Sequence, residues 1–225
     1  ARNEYNRALQ AGRQTGSAFK ALVYAAALDK GYNPSTPIID APIAYRQAGD
    51  EGQQDDKIWK PSNHEKDFSG EITMRNALVK SLNIPSVKII EDIGVSYASE
   101  FARRLGVFSK LNPDFTLVLG SSSLTLYEMT KAFSEFGRMG LRTRPTMIKK
   151  VIDRKGKILL EKLDLDTKYS DETKRLDDEF DLKRKAYLEN PGDGLSQYYF
   201  ENPEQLIKPE TAYVITDMLR SAVKE

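Results

Sequence analysis

The chain has 225 residues, 40% of them hydrophobic and 30% charged, which is enough apolar side chain to bury the core of one domain or two small ones. Lys and Arg number 34 against 33 Asp and Glu, a net charge of +1, so no global basic field argues for nucleic acid. The sequence has no cysteine and a single histidine, His64; disulfides, thiolate nucleophiles, iron–sulfur clusters and multi-histidine metal sites are therefore excluded. A Ser–His–Asp triad would have to use His64, and otherwise a lysine or a carboxylate must carry the proton of any nucleophilic step.

Gly12 to Gly16 reads as a polar loop. Phe19, Leu22, Val23, Ala26 and Ala27 then recur at helical spacing, predicting a helix over residues 17–31 with Ser17 at its start and Gly31 closing it. Residues 32–70 are punctuated by Asn33-Pro34, Thr36-Pro37, Ala41-Pro42, Gly49 to Gly52, Pro61 and Gly70 and read as a long irregular loop. A helical region is predicted over 71–140. It has helices at 71–80, from Pro85 to Asp92, from Tyr97 to Leu105 and from Thr125 to Met139, with a break at Ser81-Leu82-Asn83. A β-hairpin is predicted over 147–161, around Asp153-Arg154-Lys155-Gly156.

Residues 164–204 form a charged insertion. From 164 to 190 alternating charges surround the few apolar anchors Leu176, Phe180 and Leu182, which reads as an exposed charged helix or a mobile insertion, with a partner surface as the sharper alternative. Pro191-Gly192-Asp193-Gly194 is a turn, Tyr198, Tyr199 and Phe200 read as core or packing residues, with a ligand platform as the sharper alternative, and a closing helix is predicted over 209–224. No stretch approaches the ~18–20 apolar residues of a membrane span. The chain opens on Ala1-Arg2-Asn3-Glu4 and stops at Ser221-Ala222-Val223-Lys224-Glu225 inside a helical pattern, so it reads as an internal piece of a longer protein.

The chemistry concentrates at two motifs. In Gly16-Ser17-Ala18-Phe19-Lys20, positions i and i+3 share a helix face. Ser17 and Lys20 therefore sit together at a helix start, where free N–H groups favour a developing oxyanion. A serine hydroxyl becomes a nucleophile when a neighbouring base takes its proton, and a lysine can be that base only when burial or nearby positive charge makes it neutral. A capping serine beside a solvated lysine fits the same four residues. A second match, Ser221-Ala222-Val223-Lys224, has no polar companion downstream. Ser81-Leu82-Asn83, the only Ser-x-Asn, supplies one for Ser17 and Lys20. From a break between helices, Ser81 could relay a proton between Lys20 and a leaving amine. Asn83 could hold a substrate amide and orient Lys20. Taken alone, the tripeptide is equally a helix cap.

Arg13 to Lys20, followed by Tyr24-Ala25-Ala26-Ala27-Leu28-Asp29-Lys30-Gly31, closely resembles the nucleophile segment of class A penicillin-binding proteins of the 1A type. The likeness continues through Asp40-Ala41-Pro42-Ile43, Trp59-Lys60-Pro61-Ser62-Asn63, Phe68-Ser69-Gly70 and Arg75-Asn76-Ala77-Leu78 into Ser81-Leu82-Asn83. It runs on through Leu117 to Gly120, Thr125 to Thr130 and Pro145, and returns at Lys208-Pro209-Glu210-Thr211-Ala212-Tyr213. The resemblance implies the partial transpeptidase domain of a peptidoglycan-cross-linking enzyme: a mainly α chain with a small β-hairpin, the helical part of the α/β serine β-lactamase/D,D-transpeptidase-like fold, with the central sheet largely missing. It assigns Ser17 as nucleophile, Lys20 as general base, Ser81 as proton relay and Asn83 as substrate contact. It names peptidoglycan stem peptides ending in D-Ala-D-Ala and β-lactam antibiotics as partners, implies no metal or organic cofactor, and places the parent at the extracytoplasmic face of a bacterial membrane, anchored outside this chain.

Two departures stand out. Prolines that usually flank the family's nucleophile motif are Thr15 and Ala21 here, and the family's Lys-Thr-Gly strand is absent, so the isolated chain is expected to be inactive. The alternatives are a hydrolase of the D,D-carboxypeptidase or serine β-lactamase kind using the same four residues, and a non-catalytic helical interaction module. His64 reads as a loop residue, and Trp59 as packing rather than a glycan platform.

Overall fold

The computed structural model describes residues 5–47, 57–65, 67–164, 169–190 and 199–224. These fall into two compact units. One comprises Gln14–Ser99, Leu111–Ser122 and Val214–Glu225, the other Ala1–Arg13, Glu100–Lys110 and Ser123–Tyr213.

The first unit is built around helix Lys20–Asp29, in which every residue except Leu28 is buried. Its composition explains this: Ala21, Ala25, Ala26 and Ala27 present small side chains all round, with Leu22, Val23 and Tyr24 between them, and a helix apolar on every face must be enclosed. It packs against helix Asn83–Ile93 and the 3₁₀ turn Phe115–Leu119. Tyr24 Oη lies 3.1 Å from Ser86 Oγ, and Lys30 Nζ donates to Ile93 O at 2.8 Å, completing the carbonyl end of the neighbouring helix.

Helix Lys20–Asp29 is preceded by a 3₁₀ turn, Gly16–Phe19, so the element predicted over 17–31 starts more tightly wound than an α-helix. Residues 71–73 are a correction to the predicted helix: they are strand. Gly70–Thr73 pairs antiparallel with Pro37–Asp40, and the helix that follows is Met74–Val79, capped by Thr73 accepting from Asn76 N. β-Branched Ile72 and Thr73 fit an extended pairing better than a first helical turn. Residues 32–70 are likewise more ordered than a loop, since Tyr45–Gln47 also pairs with Lys57–Trp59. The prolines there punctuate strands. The glycine turn expected at 49–52 lies outside the described residues.

In the second unit, strands Thr146–Ile152 and Ile158–Asp164 form the hairpin. Helix Ser170–Glu189 occupies the charged segment. Thr173, Leu176 and Phe180 are buried along it, but Leu182 is 71% exposed. Three residues at helical spacing make one stripe, and Leu182 falls off it, so it is no anchor. Tyr199 stacks at 5.4 Å on the Phe180 ring. The 191–194 turn and Tyr198 lie outside the described residues.

Helix Leu126–Gly137 opens with a capping box between Thr125 and Glu128. Fully buried Glu128 does more than cap. It accepts from Phe108 N at 3.0 Å, Ser109 N at 2.7 Å and Ser109 Oγ at 2.9 Å, and from Thr125 N and Oγ1, both at 2.9 Å. Replacing Glu128 by Ala orphans these donors and is expected to lower the unfolding free energy by about 3 kcal/mol or more, measurable by denaturant titration.

Candidate active site

Ser17 lies within the turn Gly16–Phe19 and Lys20 is the first residue of the helix that follows. In a 3₁₀ turn residues i and i+3 eclipse, so the tighter winding puts the two side chains on one face more directly than an α-helix would. The backbone is consistent with this, since the Lys20 N–H donates to Ser17 O. Ser17 itself is exposed, while Lys20 is 1% exposed.

The buried amine is met by the other motif. Lys20 Nζ lies 2.6 Å from Ser81 O, 3.2 Å from Ser81 Oγ and 2.7 Å from Asn83 Oδ1. Burial pulls its pKa from 10.5 down to about 8, because removing water penalises the ammonium. As an ammonium it has three donors for three acceptors; as a neutral amine it keeps two donors and one lone pair for a hydroxyl proton.

Ser81 is in the left-handed region with φ 51°, and helix termination explains why. Leu82 N donates to Ala77 O at 3.0 Å and Ser81 N to Leu78 O at 2.9 Å, the bond pair of a Schellman motif with Ser81 at the position that normally takes glycine. Serine there is strained by about 1–2 kcal/mol, and what it gains is a hydroxyl and a carbonyl aimed at Lys20. Asn83 opens helix Asn83–Ile93. Its Nδ2 donates to Ser62 O at 2.8 Å, which turns its Oδ1 to the amine.

Ser17, Ser81 and Asn83 line one cavity of about 640 Å³, together with Asn63, His64 and Ser69. The structure thus brings together all four residues singled out from the sequence. His64 is an exposed turn residue on the cavity wall. Trp59 stacks at 5.7 Å on Tyr45.

The chain matches the model of the penicillin-binding protein transpeptidase domain over residues 2–225. The chain belongs to that family. Transpeptidase-family relatives include penicillin-binding protein 1A of Neisseria meningitidis, 41% identical over 155 residues, covering 68% of this chain and 19% of the relative. The same protein of Pseudomonas aeruginosa is 30% identical over 99% of this chain and 28% of its own length. The crystal structure of penicillin-binding protein 1A from Haemophilus influenzae superposes with a TM-score of 0.73 at 27% identity, covering 99% of this chain and 31% of that one. The transpeptidase chain therefore spans less than a third of each. Its mainly helical fold, with only two-stranded sheets among the described residues, is that of these neighbours without a broad central sheet.

Residues that spacing did not single out also shape the site. Ser62 and Asn63 accept from Asn83 and Asp40 accepts from Asn63, and their only sequence signal was membership of the segments carrying the family likeness. Gly120, with φ 75°, is pressed against the turn that carries Ser17: a Cβ there would lie 2.2 Å from Gly16 N and O, and Gly16 N donates to Gly120 O at 3.3 Å. Gly120→Ala is expected to cost about 1–3 kcal/mol from overpacking against backbone, read from the urea midpoint.

Proposed function

We propose that this chain supplies the nucleophile, base and proton relay of a serine D,D-transpeptidase that cross-links peptidoglycan stem peptides. The reading is carried by one observation, the buried amine of Lys20 held between Ser81 and Asn83 three residues after an exposed Ser17 in a transpeptidase-family chain.

In this reading neutral Lys20 Nζ takes the Ser17 hydroxyl proton as Oγ bonds to the carbonyl carbon of the D-Ala-D-Ala peptide bond. The tetrahedral adduct collapses and the C–N bond breaks. The leaving D-Ala nitrogen receives its proton from Lys20 through the Ser81 hydroxyl. The acyl-serine is then attacked by the amine of a second stem peptide, whose proton passes through Lys20 to Ser17 Oγ as the serine is freed. Asn83 has one N–H left to hold a substrate carbonyl after its bond to Ser62. A β-lactam acylates Ser17 by the same first step, and its ring nitrogen stays tethered. The parent protein works at the extracytoplasmic face of the cell membrane. Since the sequence contains no Lys-Thr-Gly, the isolated polypeptide lacks an oxyanion donor whose loss costs about 10²–10³-fold, and it is expected to acylate far more slowly than the full-length protein.

Two measurements test the assignment on the full-length protein. Ser17→Ala is expected to abolish covalent labelling by a fluorescent penicillin with the melting curve retained, and Lys20→Arg to slow labelling by about 10²–10⁴-fold; undiminished labelling in either overturns it. The pH profile has a definite sign. With a pKa of about 8, about a tenth of Lys20 is neutral at pH 7, against roughly one in three thousand at the usual 10.5. Acylation should therefore rise about tenfold per pH unit below 8 and level off above it. A rate flat from pH 6 to 9 contradicts Lys20 as base.

A further inference from the structure

The cleft wall contains a hydrogen-bond relay that the transfer steps above do not use. Asp40 has no exposed surface and Asn63 is 3% exposed. The Asn63 amide spends every group it has. Nδ2 donates to Asp40 Oδ1 at 2.8 Å and Oδ2 at 3.0 Å, and to Asp67 O at 3.1 Å. Oδ1 accepts from Asn83 N at 3.0 Å and Ile84 N at 3.2 Å. Asp40 Oδ2 is further held by Ser69 N at 2.8 Å.

The N–H groups that donate to Asn63 Oδ1 are the first of helix Asn83–Ile93. Its own N-cap residue, Leu82, makes no side-chain cap, so a start that would otherwise leave orphan donors is capped by an asparagine from a separate segment. The polarity of the relay is forced. A carboxylate can only accept, so Asp40 turns Nδ2 toward itself and Oδ1 toward the helix; a flipped Asn63 would set an NH₂ against two backbone N–H groups. The preceding residue repeats the logic, because Ser62 O can only accept and so fixes Asn83 with Oδ1 on Lys20 Nζ at 2.7 Å.

We propose that Asp40 and Asn63 are positioning residues for acylation, acting through Asn83 to hold the Lys20 amine in line with Ser17. This rests on the assignment of Lys20 as the base. Near a reacting atom, a misplacement of about 1 Å costs on the order of 10²-fold in rate.

The test is a double-mutant cycle in the full-length protein, reading the second-order rate constant for acylation by a fluorescent penicillin alongside the thermal midpoint. Asn63→Ala and Asn83→Ala are each expected to slow acylation by roughly 10²-fold. The double variant should be no slower than the slower single, since both act on one amine. Losses that multiply in the double, or an Asn63→Ala variant that lowers only the thermal midpoint, overturn the proposal. Should Asn63→Ala not fold, Asn63→Asp keeps the acceptor but sets two carboxylates face to face, and adding Asp40→Asn restores a donor between them. Acylation is expected to fall in the first and recover at least tenfold in the pair, and no recovery overturns the relay. Ser17→Ala separates the two levels. Inert Ser17→Ala with multiplying Asn63 and Asn83 losses sinks the relay alone, whereas Ser17→Ala that still acylates sinks the underlying assignment.

Discussion

The first unit is organised around an amine that is out of water yet fully provided with hydrogen-bond partners. Two effects oppose each other at Lys20. Burial disfavours the ammonium, and the start of an α-helix, where the residue sits, repels positive charge as well. Three oxygens, Ser81 O, Ser81 Oγ and Asn83 Oδ1, favour it. Burial is the larger effect and leaves the group near pKa 8, within reach of both protonation states at neutral pH. That balance suits the proton-accepting role proposed for it. An exposed lysine would stay charged, and one buried without acceptors would leave its remaining N–H groups unsatisfied.

Several local irregularities become intelligible once that balance is the constraint. Ser81 occupies a helix-terminating position where glycine is the unstrained choice, and glycine would delete the hydroxyl that faces Lys20. Leu82 is a poor cap residue for helix Asn83–Ile93, and the cap arrives from Asn63 instead. Gly120 leaves the only room in which the turn carrying Ser17 can approach, with a Cβ excluded at 2.2 Å. At Ser81 and at the Leu82 cap the locally preferred residue is missing, whereas Gly120 meets the local preference of its left-handed helix end and the close approach at once.

Elsewhere local rules prevail and the sequence is readable. The helical spacing of Phe19, Leu22, Val23, Ala26 and Ala27 announced the helix at Lys20–Asp29, and Asp153 to Gly156 announced the hairpin now seen between Thr146–Ile152 and Ile158–Asp164. The misread strands share one cause. Residues 71–73 and the strands at Pro37–Asp40 and Tyr45–Gln47 owe their conformation to partners elsewhere in the chain, and short extended pieces carry little periodicity of their own. Leu182 was a plausible anchor by composition, yet the helix stripe was already set by Thr173, Leu176 and Phe180.

By itself the sequence determined which residue types were available for chemistry and, through the ordered run of segments from Arg13 to Tyr213, which family the chain resembles, because residue identity and order are written in the chain itself. Only the tertiary structure decided that Lys20 is buried, that its nitrogen meets residues 61 and 63 positions further along the chain, and that Asp40, Asn63 and Gly120 stand behind the site. Burial and hydrogen-bond polarity are properties of how distant segments pack. No local pattern in the chain encodes them.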